Sequence, residues 1–146
     1  MPGYQVSTTI EAPIDLAWSV LMDVERMSEW TTSMRSVRLL DGEALRGGSR
    51  VHIKQPWLRA ATWTVDVFDP PRRFSWRSRT GTIETMASHL LEDRGHTTVA
   101  TFAIQHEGVG ARVVALLTGP LTRRYVQREL SGLKTRTEQL ANPKFS

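Results

Sequence analysis

The stretch LLTGPLTRRYVQRELSGLKTRTEQL, residues 116–140, decides the fold. Its apolar side chains, Leu116, Leu117, Leu121, Val126, Leu130, Leu133 and Leu140, form a helical stripe. From Val126 the steps to Leu130, Leu133, Thr137 and Leu140 are four, three, four and three, the spacing of one buried helix face. Gly119-Pro120 interrupts the pattern. Proline lacks the N–H that a helix interior uses, so a kink or break is expected there, with the main helix over residues 120–141. A long amphipathic helix must bury its stripe against another layer. The residues before it read almost wholly as strands, so that layer is a sheet, and a curved sheet wrapped around one helix tends to leave a hollow.

Working back from the helix, the strand signals are regular. Tyr4, Val6, Thr8 and Ile10 alternate on one face of a first strand, which Ala12-Pro13 ends. Two short helices follow, one from about Asp15 through Ala17, Trp18, Val20 and Leu21, the other over Val24 to Trp30. Strands are then expected over residues 36–40, 50–55, 61–68, 73–79, 82–91 and 97–105. Asp41-Gly42, Gly47-Gly48, Asp69-Pro70-Pro71 and Asp93-Arg94-Gly95 supply the reversals between them. The expectation is an α+β fold: an antiparallel sheet of about seven strands gripping the C-terminal helix, in one domain over residues 1–146.

Composition removes several classes of function. Without cysteine there are no disulfides, thiolate metal sites or thiol nucleophile. The longest strongly apolar run, Val113 to Leu117, is far short of the ~20 residues that span a bilayer. The first thirty residues lack a signal-type apolar run, so a soluble, cytoplasmic protein is expected. The net charge of +4 is spread along the chain, densest at Arg112, Arg123, Arg124 and Arg128. Neither a basic stripe interleaved with aromatics nor a nucleic-acid motif accompanies it, so no nucleic-acid partner is expected.

Strand parity then sorts the side chains. One face of residues 82–91 carries Ile83, Thr85, Ala87, His89 and Leu91, mostly small or apolar, and is assigned inward. The same reasoning turns Val51, Ile53, Gln55, Trp63, Val65, Val67, Phe74, Trp76 and Ser78 inward. In the strand after Thr97, Val99, Thr101, Ala103 and Gln105 suit a cavity wall, while Phe102 and Ile104 argue for the opposite facing. Glu84 and Asp66 fall outward, so no acidic pair is expected inside. Ser88 and His89 point to opposite faces and cannot form a nucleophile–base pair. His89 is the one histidine expected inside, without an acidic neighbour; His52, His96 and His106 read as surface or loop residues, too dispersed for a metal site. His89 has two readings, a buried histidine bonded to Thr85, or a polar anchor or acid/base group of an apolar pocket. Trp18 and Trp30 are expected to pack the helix pair on the sheet, Trp63 and Trp76 to line the hollow, and Trp57 to sit at its mouth.

The order of these signals resembles the START-like, helix-grip (SRPBCC) superfamily, in its polyketide cyclase/dehydrase and lipid-transport branch. The matching stretches are Ile10-Glu11-Ala12-Pro13, Ala17-Trp18-Ser19-Val20-Leu21 with Asp23 and Trp30, residues 69–76, residues 95–99, and Leu133-Lys134 with Glu138. The resemblance implies a hydrophobic cavity between sheet and helix. It also implies members that bind lipids, polyketides or other apolar molecules, some of them cyclases or aromatases.

The expected function is binding of a small hydrophobic or amphipathic molecule by Gln55, Trp63, Trp76, Thr85, His89 and Leu130. One alternative is a cyclase, aromatase or dehydratase with His89 as acid/base. Another is an interaction module acting on a protein or RNA through its basic surface. No cofactor and no metal is expected, and the oligomeric state stays open, a homodimer included.

Overall fold

Seven strands form one antiparallel sheet in the computed structural model, which describes residues 3–142. They are β1 (Gly3–Ile10), β2 (Ser36–Leu39), β3 (Arg50–Lys54), β4 (Ala61–Asp69), β5 (Arg73–Thr80), β6 (Ile83–Asp93) and β7 (Thr98–Glu107). Their spatial order is β1-β7-β6-β5-β4-β3-β2. Strands β2 to β7 therefore run as a meander, and β1 closes the far side against β7. Helices α1 (Ile14–Met22) and α2 (Met27–Trp30), joined by a 3₁₀ turn at Val24–Arg26, lie between β1 and β2 as expected. Helix α3 (Ala111–Ala141) packs on the concave face.

The pleat accounts for the core. Cross-strand rows put Val6, Phe102, His89, Phe74 and Phe68 in line, and above them Tyr4, Ile104, Ala87, Trp76 and Val65. Ile14, Ala17, Val20 and Leu21 of α1 seal one end, and Val126, Leu130 and Leu133 of α3 cover the middle. Trp18 lies within 6.1 and 6.2 Å of the Phe68 and Phe74 rings and ties the helix pair to the sheet. On the convex face Arg77 is paired with Asp66 and Glu84.

Three expectations change. Between Val65↔Trp76 and Phe68↔Phe74, β4 advances three residues while β5 advances two. This bulge carries one extra residue and reverses the pleat, so Phe68 turns inward and Val67 is exposed. Secondly, α3 begins at Ala111 and continues through Pro120 without a break. Proline at 120 strands the carbonyl of Leu116, and both residues stand on the solvent side, where water can accept that role. Thirdly, Leu116, Leu117 and Leu140 are exposed and do not belong to the buried stripe. That stripe is Tyr125, Val126, Glu129, Leu130, Leu133 and Thr137.

Candidate functional site

Under the first half of α3 the sheet presents a cavity of about 260 Å³, slightly below the ~300–1,000 Å³ usual for ligand pockets. Trp63, Trp76 and Ala87 make its apolar wall with Ile53 and Ile104. Trp63 and Trp76 meet at 6.3 Å between ring centroids. Helix α3 contributes Val114, Thr118, Thr122, Tyr125, Val126 and Glu129. The space exists because Ala87 and Thr85 are small where the neighbouring row carries Phe74 and Phe102. At the mouth stand Gln55, Leu58 and Arg59 of the β3–β4 loop, which the Tyr125 hydroxyl holds by donating to the Pro56 carbonyl.

Of the residues assigned from sequence, Gln55, Trp63, Trp76 and Thr85 border this space. His89 and Leu130 lie beneath it: both are buried in the core and neither reaches the cavity wall. The expected bond between His89 and Thr85 is absent. Thr85 Oγ1 instead meets His106 Nδ1 at 2.9 Å, directly across the strand pair. His106 is thus neither a surface nor a loop residue. It shares the facing of Phe102 and Ile104, which settles the orientation of β7, and it borders the cavity. Burial pushes its imidazole pKa below the ordinary 6.5.

His89 has an acidic partner that parity arguments on the strands could not supply. Its Nε2 lies 3.2 Å from Glu129 Oε1, and its Nδ1 lies 3.3 Å from the Phe74 carbonyl oxygen. The ring is stacked on Phe74 at 4.2 Å and edged by Phe102 and Trp76. A carbonyl only accepts, so Nδ1 carries a hydrogen. The Nε2···Oε1 contact then requires one more proton, either on Nε2 facing a carboxylate or on Oε1 facing a neutral imidazole. In both forms the pair is neutral overall and holds one proton that can move along a single hydrogen bond. Glu129 also borders the cavity, so this proton lies one carboxyl group from whatever fills it. Among the described residues no three His, Asp or Glu side chains come together as a metal site requires.

Residues 1–138 match the model of a family described as polyketide cyclase / dehydrase and lipid transport. The chain belongs to that family. Its helix-grip architecture is the START-like one, and solved structures repeat it. The Zhui aromatase/cyclase from a Streptomyces species is 17% identical over 97% of this chain and 96% of its own, with a TM-score of 0.75. A hypothetical protein from Helicobacter pylori is 14% identical over 92% and 87%, with a TM-score of 0.79. Ara h 8.0201 is 10% identical over 96% and 98%, with a TM-score of 0.74. At such identities the likeness carries the fold alone. No curated protein matches this chain by sequence.

Proposed function

We propose that the chain binds a small hydrophobic or amphipathic molecule, lipid- or polyketide-like, between the sheet and α3. The observation that carries this reading is an apolar hollow with a few convergent polar groups: Gln55 and Arg59 at the mouth, Thr85 with His106 on the wall, Glu129 on the helix side. Size narrows the ligand. An engineered apolar cavity of about 150 Å³ takes benzene, so 260 Å³ suits a molecule of one or two rings or a short acyl chain. Native mass spectrometry of freshly purified protein should reveal a co-purified small molecule. Tryptophan emission should respond to short fatty acids or to one- and two-ring phenols, and lose most of that response in the Trp63→Phe/Trp76→Phe variant. No bound mass and unaltered emission across both sets would overturn the reading.

The proton shared by Glu129 and His89 favours a second reading, an enzyme of cyclase, aromatase or dehydratase type. Such reactions remove a proton beside a carbonyl and return one to an oxygen. Glu129 would meet the substrate, and His89 would hold its carboxyl in place from beneath. Turnover of a β-ketone substrate that disappears in Glu129→Gln while binding persists would support this; binding without turnover in wild type leaves the carrier reading.

A further inference from the structure

The first turns of α3 carry an apolar surface that the sheet does not cover. Leu116 and Leu117 are 79% and 76% exposed, and Val109 and Val113 stand in solvent beside them. At about 100° per residue, Val113, Leu116, Leu117 and Pro120 project away from the buried stripe of Tyr125, Val126, Glu129 and Leu133. Behind this tip the outer side becomes basic, with Arg124 and Arg128 exposed and Arg123 beside them, its guanidinium over the Tyr4 ring. From Gly108 to Arg128 there are four arginines and no Asp or Glu. None of the four has a carboxylate partner among the described residues.

A second exposed apolar group stands at the same end of the molecule. Trp57 in the β3–β4 loop is 88% exposed and held at φ 66°, a left-handed conformation uncommon for a bulky residue. Antiparallel order brings this loop, the β5–β6 turn and the β7–α3 turn to one end of the sheet. There Thr82 Oγ1 donates to the Val109 carbonyl at 3.0 Å. The cavity reaches toward this end, where Leu58 and Arg59 of the loop and Val114 and Thr118 of α3 line it.

We propose that this end of the molecule is a peripheral docking surface for an anionic lipid bilayer. Leu116, Leu117, Val113 and Trp57 enter the boundary of the acyl layer, and Arg123, Arg124 and Arg128 lie one to three turns behind, on the phosphates. At 1.5 Å per residue the arginines trail Leu117 by about 9–16 Å, so a helix tilted tip-first sets both groups at their proper depths. A like contact with a second copy offers these arginines no complementary charge, because residues 108–128 carry no Asp or Glu. A nucleic acid would use the arginines and leave the apolar tip in water. Docking brings the mouth to the acyl layer; ligand passage there rests on the binding reading, whereas docking itself does not.

Flotation of the full chain with vesicles of phosphatidylcholine, and of phosphatidylcholine with phosphatidylglycerol, tests this. Wild type should float with the anionic vesicles and be released by salt, and its emission should shift to the blue, a shift missing in Trp57→Ser. Leu116→Asp/Leu117→Asp and Arg124→Glu/Arg128→Glu should each weaken vesicle binding about tenfold or more, with unchanged thermal midpoints. Absence of flotation on anionic vesicles at low salt overturns the proposal. So does full binding by the leucine variant, or a wild-type dimer that ignores vesicles and dissociates in that variant. Phenol or fatty-acid binding in vesicle-free solution, measured on the same variants, should stay intact; its loss in wild type would instead remove the ligand reading and leave docking untouched.

Discussion

Glu129 Oε1 and His89 Nε2 depend on each other, since among the described residues neither atom has another hydrogen-bond partner. Replacing Glu129 by Gln keeps a donor for His89 Nε2, so stability should move by no more than about 1 kcal/mol in urea titrations. His89→Leu leaves the buried carboxyl group without its hydrogen-bond partner, which should cost about 2–4 kcal/mol in the same assay. His106 gives a different signature. With its pKa held below 6.5 in the folded protein, unfolded chains bind the proton first as pH falls. Stability is therefore unaffected by this group above that value, declines as pH drops below 6.5, and levels off beneath the folded pKa. His106→Asn should flatten that decline in denaturation midpoints compared between about pH 8 and pH 5. The window is distinct from that of Glu138. There burial pushes the pKa up, but the Glu11 amide and Lys134 outweigh it, leaving the carboxyl below 4.5, so its stabilisation is lost only at lower pH. Both residues carried a sequence signal. Glu129 is three residues from Val126 and four from Leu133, an acid in register with the buried stripe; His106 shares the parity of Phe102 and Ile104. The pairings were hidden because they join β6 to α3 and β6 to β7, and parity assigns facings without neighbours.

Among the elements, α3 shows how one residue type acts oppositely along one helix. A Cβ on Gly132 would sit 2.0 Å from the Trp30 carbonyl oxygen, so α3 lies directly on the backbone that ends α2. Gly132→Ala should destabilise by about 1–3 kcal/mol despite its better helix propensity. At Gly119 nothing lies within 4 Å of an added Cβ. Gly119→Ala should stabilise by about 0.4–1 kcal/mol, and paired thermal melts will show whether the signs differ. The strands, the helix pair and the buried half of α3 were all legible, since each repeats a period set by its own backbone. The bulge was not, because an extra residue at Asp66–Val67 leaves the local alternation plausible on both sides. The exposed turns of α3 were misread for a related reason: periodicity reports that leucines share a side, and says nothing of whether the sheet reaches far enough to cover them.

Across the whole molecule, the first strand finds its partner in the last. β1 pairs only with β7, Gly3 opposite Gln105, whereas the links from β4 to β7 are two to four residues long. Closing so long a loop, from Ile10 to Thr98 at its shortest, is slow compared with zipping neighbouring hairpins. We therefore expect the meander from β3 to β7 to form early, and β1 and α3 to dock late. The hollow needs α3 in place over Trp63 and Trp76, so it exists only at the end of that sequence of events. A guest such as a short fatty acid should then leave the refolding rate unchanged and slow unfolding in proportion to its occupancy, which stopped-flow fluorescence can read. Faster refolding with the guest present would place the hollow in the transition state. During synthesis the same order holds: a nascent chain has no hollow to offer a guest until α3 has emerged from the ribosome and packed over Trp63 and Trp76.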